Sequence, residues 1–155
     1  MFRSLLLIIL VSFLSFNLLA QLAGKVISIA DGDTFTLLTA DNKQVIIRLH
    51  GIDCPEKKQP HYQQAKNFVS AKIFGQRVEV QHKGKDRYGR VIGLVICADG
   101  TNLNEALLKA GLAWHFKKYD SNAAWANIER EARAAKRGLW MDLSPIAPWD
   151  WRKIK

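Results

Sequence analysis

Among 155 residues there are only two cysteines and four prolines. The cysteines allow at most one disulfide, and the scarcity of proline leaves long uninterrupted stretches free for strands and helices. Acidic residues are also short: 14 Asp and Glu stand against 23 Lys and Arg, a formal net charge of +9. That balance points to a polyanionic partner, either nucleic acid or an anionic envelope surface. Beyond residue 20 no apolar run is long enough to span a bilayer. Internal repeats, low-complexity tracts and linkers are absent too. With 48% hydrophobic and 24% charged residues the chain is that of a globular protein of one domain.

Residues 1–20, MFRSLLLIILVSFLSFNLLA, carry Arg3 as their single charge, followed by an apolar run that ends beside small residues. This is the plan of a signal peptide, with cleavage near Ala20 or Ala23, and it implies an exported, periplasmic or secreted protein. An uncleaved membrane tether is the alternative; after cleavage no stable membrane association is expected. Loss of Arg3 from the +9 total leaves +8 on the mature chain. Residues 24–143 form the expected domain, and residues 144–155 a tail packed on it through Trp149 and Trp151, too proline-rich for a helix.

KVISIA and TFTLLT flank DGD as a hairpin, and QVIIRL follows as a third strand. Residues 61–74 change to helical period, with Gly75 at the C-terminal end. RVEVQ and RVIGLVIC supply strands four and five around the polar loop KGKDRYGR. Asn102 with Glu105 reads as a capping box for a second helix ended by Gly111. LAWHF reads as a short extended piece. Ser121 is the expected cap of a third helix reaching Lys136, with Ala124, Ile128, Ala132 and Ala135 inward. Three strands, a helix, two strands and further helices give an α+β fold: a five-stranded Greek-key OB barrel with three α-helices.

In such a meander the turn after strand one and the loop after strand three meet at one end of the barrel, bringing Asp33 and Asp53 together. Two carboxylates with a backbone carbonyl make a hard-oxygen site suited to Ca²⁺. DGD is equally the composition of an ordinary hairpin turn. RLHGIDCPE, residues 48–56, adds Arg48 and Glu56 to the same neighbourhood, and Arg90 enters strand five from the loop 83–90. Two arginines facing a metal suit phosphate-ester cleavage, because guanidinium groups bind phosphate oxygens and stabilise growing charge. A glutamate can position the attacking water or accept its proton. Lys57, Lys58, Lys83 and Lys85 suit backbone binding without sequence choice, and Arg87 is a further substrate-binding candidate.

The stretches IADGDTF, IRLHGIDCPE, DRYGR, ADG, LNEALLKAGLA and EARAAKRGLW, in this order across residues 25–140, resemble the staphylococcal nuclease family. The resemblance implies a Ca²⁺-dependent endonuclease on DNA and RNA, with a preference for single-stranded or locally unpaired substrate, that leaves 3′-phosphate ends. It implies that Asp33, Asp53 and the Cys54 carbonyl hold calcium, with Asp31 an acid near the metal. Glu56 matches the proposed general base, Arg48 and Arg90 the phosphate-binding arginines, and Tyr88 and Tyr119 aromatics at the nucleotide pocket. A monomer is expected. The alternative is a non-catalytic nucleic-acid-binding OB module, which has no evident need of Glu56.

Cys54 departs from the family's threonine, and its thiol is expected to be an oxidation-sensitive spot. One extra residue between Arg90 and Asp99 suggests a bulge or shifted turn. Cys97 lies seven strand positions from Arg90, roughly 23 Å at ~3.3 Å per residue. A disulfide needs Cα atoms within about 7 Å, so no bridge to Cys54 is expected. His50 has no soft partner nearby to make a zinc site, and the tryptophans read as packing residues.

Overall fold

The computed structural model describes residues 21–154; the expected signal segment and Lys155 lie outside them. The strands are β1 (Leu22–Asp31), β2 (Thr34–Thr39), β3 (Gln44–Leu49), β4 (Ile52–Asp53), β5 (Arg77–Lys85), β6 (Val91–Ile96) and β7 (Trp114–His115). The helices are α1 (Tyr62–Ile73), α2 (Leu103–Ala110), α3 (Ala123–Ala134) and α4 (Pro148–Ile154), with a 3₁₀ turn at Gly138–Met141.

Five strands close a barrel in the order β1-β2-β3-β6-β5, with β5 pairing back onto β1. Closure depends on a parallel pairing of β3 with β6, in which Arg48 stands beside Ile92. Alternate residues fill the interior, because side chains of a strand point to opposite faces: in β6, Val91, Gly93 and Val95 are buried and their neighbours half-buried. Gly93 is required by space, since a Cβ there would stand 2.5 Å from Val80 Cγ1 and 2.9 Å from the Gln81 carbonyl oxygen. Phe35, Leu37 and Ile47 are fully buried with α1 residues Ala65, Val69 and Ile73 and α2 residues Leu103, Leu107 and Leu108. Each large side chain of this kind contributes about 1.5–3 kcal/mol by leaving water.

The capping box forms as read: the Asn102 side chain accepts from the Glu105 N–H, and Gly111 ends α2 in the left-handed region. Elsewhere the structure corrects the sequence reading. Among the described residues there are four α-helices rather than three. The tail is helical over Pro148–Ile154 because Pro148 takes the first position, where a missing N–H costs nothing. α3 starts from Asn122, not Ser121; the Asn122 side chain accepts from the N–H groups of Ala124 and Trp125. Its buried face is Trp125, Glu129 and Ala132, while Ala124 and Ala135 are exposed. β5 continues through Lys83 to Lys85, past a register shift between His82 and Gly84, so the first three residues of the expected loop 83–90 are strand. Residues 52–53, read as loop, pair with residues 114–115 as β4 and β7.

Candidate active site

The turn between β1 and β2 is fixed by close contact. Gly32 does not occupy the left-handed region. A Cβ on it would meet Ala65 Cβ at 2.8 Å and Cys54 Cβ at 3.0 Å, so glycine lets the turn press against α1 and the loop after β4. This gives DGD a packing reason beyond turn preference. Asp33 is thereby pinned: its Oδ2 accepts the Cys54 N–H at 2.8 Å, its Oδ1 accepts the Thr34 hydroxyl at 3.1 Å, and its carbonyl accepts the Leu49 N–H at 2.9 Å. Asp31, at the other end of the turn, accepts the Tyr62 hydroxyl of α1 at 3.0 Å.

Arg48 leaves β3 toward the same place. It donates to the carbonyls of Leu49 and Ile52 at 2.9 and 3.0 Å and to Asp53 Oδ1 at 2.9 Å, with Asp33 Oδ2 at 3.4 Å. Burial alone would weaken its charged form, but Asp33 and Asp53 outweigh burial and raise its affinity for the proton. Burial pushes the Asp53 carboxyl above the ordinary aspartate value, and Asp33 adds to the rise, while Arg152 and Arg48 oppose it. Asp33, Arg48 and Asp53 are therefore one coupled ionic group where two loops meet. Cys54 contributes its backbone; its side chain is buried, and burial first, then Asp33, raise the thiol's pKa well above the ordinary value. That corrects the expectation of an oxidation-sensitive thiol, since the reactive form is the thiolate. Cys97 is also free and buried.

Arg90 is held by Asp86. Asp86 Oδ2 accepts from Arg90 Nε at 2.6 Å, and Oδ1 accepts the N–H groups of Tyr88 and Arg90. These bonds outweigh burial and lower the Asp86 carboxyl below its usual value. Arg87 donates to the Tyr88 hydroxyl at 2.7 Å, and its guanidinium lies 4.8 Å from the centre of that ring.

These residues open on one cleft of about 970 Å³. Asp31, Asp33, Arg48, Asp53, Glu56, Lys83, Lys85, Arg87, Tyr88, Arg90, Lys118 and Tyr119 line it. Tyr88 and Tyr119 are 68% and 62% exposed; Arg87 and Arg90 lie over the Tyr88 ring and Phe116 packs edge-on against Tyr119. Lys57 and Lys58 are exposed but do not line the cleft. His50 also faces it and shares Asp120 with His115: His50 Nε2 is 3.2 Å from Oδ2 and His115 Nε2 is 2.8 Å from Oδ1.

Arg152, on α4, escaped the sequence reading. It donates to Asp53 Oδ2 at 2.9 Å and to Glu56 Oε1 at 2.5 Å. Trp149 anchors the helix by stacking on Phe116, with ring centres 4.7 Å apart at 13°. Gln59 ties the same parts together, accepting the Glu56 N–H and donating to the Ile146 carbonyl. The one available signal was its place directly after Trp149 and Trp151 in the tail.

The donors facing one another suit a hard cation: carboxylates of Asp33 and Asp53, with the Cys54 carbonyl next in the chain. Among the described residues no three His, Cys, Asp or Glu side chains form a ready-made cage. The guanidinium of Arg152 between Asp53 and Glu56 nonetheless shows that this spot accommodates positive charge.

Comparison with known proteins gives one consistent result. A family model described as staphylococcal nuclease homologue matches residues 46–142. An "uncharacterized endonuclease" of Escherichia coli is 39% identical over 138 residues, covering 89% of this chain and 90% of that protein. A Haemophilus influenzae protein of the same description is 39% identical over 129 residues, 83% of this chain and 72% of its own. The staphylococcal-like nuclease CAN1 of Arabidopsis thaliana is 39% identical over 126 residues, 78% of this chain and 39% of its own length.

Proposed function

The chain belongs to the staphylococcal nuclease family, and we propose that it is a Ca²⁺-dependent endonuclease hydrolysing phosphodiester bonds of DNA and RNA with little sequence preference. The observation that carries this reading is the contact of Asp33, Arg48 and Asp53 at the floor of a basic cleft that also holds Glu56 and Arg90.

Asp33, Asp53 and the Cys54 carbonyl would hold calcium, which when bound neutralises the phosphate ester and polarises it for attack. Arg48 and Arg90 bind the non-bridging phosphate oxygens and stabilise the charge that accumulates on them. Glu56 orients a water on the face opposite the leaving 5′ oxygen and takes its proton. The new P–O bond forms as the 5′ P–O bond breaks; the 5′ oxygen leaves with a proton, giving a 5′-hydroxyl and a 3′-phosphate. Lys83, Lys85 and Arg87 contact the backbone, and Tyr88 and Tyr119 stack on bases, which favours single-stranded or unpaired substrate. Asp31 supports the metal site. The protein works as a monomer after export to the periplasm or medium, without stable membrane association.

The test is single-stranded DNA with the protein in Ca²⁺, in chelator, and with Glu56→Gln in Ca²⁺. Cleavage that stops in chelator, and falls about 10²–10⁴-fold in the variant, is expected. Tight binding without cleavage in any divalent metal would leave a nucleic-acid-binding module instead.

A further inference from the structure

Asp53 is 1% exposed, yet both of its oxygens are taken by guanidinium groups. Arg48 reaches Oδ1 from the end of β3 at 2.9 Å. Arg152 reaches Oδ2 through Nη2 at 2.9 Å and Oδ1 through Nη1 at 3.4 Å, and the same Nη1 holds Glu56. Arg152 thus bridges a carboxylate assigned to the metal and the carboxylate assigned to the water. Such a two-pronged charge-assisted contact is among the stronger ones a protein surface makes.

Its placement is built rather than incidental. α4 is fixed by Trp149 on Phe116 and by the edge of Trp149 against Trp114, 5.6 Å between centres. Trp114 belongs to β7, which pairs with the Ile52–Asp53 strand, so helix and carboxylate are referenced to the same short sheet. The bond from Gln59 to the Ile146 carbonyl couples the chain leading into α4 to the loop that carries Glu56.

An oxygen that accepts a guanidinium proton offers that lone pair to nothing else. A divalent cation and Arg152 therefore cannot share Asp53 fully, and Glu56 is left with only Oε2 clear of Arg152 to meet a water. We propose that Arg152 is an internal competitor for the calcium site: it closes Asp53 and Glu56 together in the metal-free protein and must let go of Asp53 when the cation arrives. This rests on the calcium reading given above. The consequence is a raised calcium threshold, since an affinity is reduced by the fraction of molecules whose site is open.

The experiment is calorimetric titration of the purified protein with CaCl₂, without substrate, for wild type, Arg152→Gln, Arg152→Lys and Lys153→Gln, each checked for folding by circular dichroism. Arg152→Gln is expected to bind calcium about three- to tenfold more tightly, as a site open in roughly a tenth to a third of molecules becomes open in all. Arg152→Lys, which keeps the charge without the fork, should fall between that variant and wild type. Lys153→Gln removes the same charge one residue away, from a side chain paired with Asp150 instead, and should leave the affinity unchanged. Equal or weaker binding by Arg152→Gln overturns the proposal, as does equal tightening by Lys153→Gln, which would reveal a mere change of field. A wild type that binds and cleaves with calcium while Arg152→Gln is unaltered removes this inference alone. No calcium binding by any of the folded proteins removes the calcium reading with it.

Discussion

The backbone N–H of Cys54 donates to Oδ2 of Asp33 at 2.8 Å, across 21 residues of sequence. One carboxylate oxygen thereby fastens the β1–β2 turn to the loop after β4. Asp33→Ala would leave a buried N–H without a partner, a loss of about 1–3 kcal/mol. Gly32→Ala acts on the same joint from the other side, by forcing a methyl against Ala65 and Cys54. It should cost about 1–3 kcal/mol and weaken calcium binding although it alters no ligand. Urea unfolding and calorimetry on both variants check this.

Arg48 and Arg90 should separate when each is replaced by glutamine. Arg48 has a side chain 15% exposed and donates to two carbonyls and a nearly buried carboxylate. Its loss should cost about 3–5 kcal/mol, the usual result of breaking a buried pair from one side. Arg90 bonds Asp86 at the rim and should cost less than about 1 kcal/mol. Both should lower the cleavage rate of the folded protein about 10²–10³-fold. Melting curves beside rates normalised to folded protein would show the split.

Asp120 provides an acid-side dependence. Burial would raise its carboxyl, but bonds from His115, the Asn122 N–H and His50 outweigh burial and hold it below the ordinary 3.8. The unfolded chain therefore takes up this proton at higher pH than the folded one. The stability involved is present above about pH 3.8 and is lost as pH falls through the folded value. Asp120→Asn should flatten the fall in stability below pH 4, measured by urea unfolding at a series of pH values.

Neither thiol should react in the native state. Cys54 and Cys97 are 2% and 7% exposed, and burial raises the pKa of both. A chromogenic thiol reagent should report no free thiol in buffer and two in denaturant; prompt native reaction at Cys54 would contradict this.

What was legible in the sequence was what depends on short range. Alternation gave the barrel strands, Asn102 with Glu105 gave the start of α2, and the meander brought Asp33 toward Asp53. What escaped depends on contacts made late and far away. Proline in the tail reads as a breaker, yet Pro148 opens a helix because nothing there needs its N–H. α3 reads with Ala124 and Ala135 inward beside Ile128 and Ala132, whereas those two alanines are exposed and Trp125 and Glu129 join Ala132 on the buried face. A buried glutamate is intelligible once the His115 N–H, Lys117 and Arg133 are seen to surround it. Arg152 has no local pattern at all: it lies 99 residues from Asp53 and meets it through the stacking of Trp149 on Phe116.

The parallel pairing of β3 with β6 carries a kinetic meaning. It sets Arg48 beside Ile92 and leads straight back to Arg90, so the step that closes the barrel also puts the two arginines on one cleft. Contacts this distant in sequence form slowly and together, because the intervening loop must be ordered before any of them is rewarded. A half-folded chain therefore holds no partial version of the cleft, and capacity to cut nucleic acid should arise and vanish as a single cooperative unit with the barrel itself.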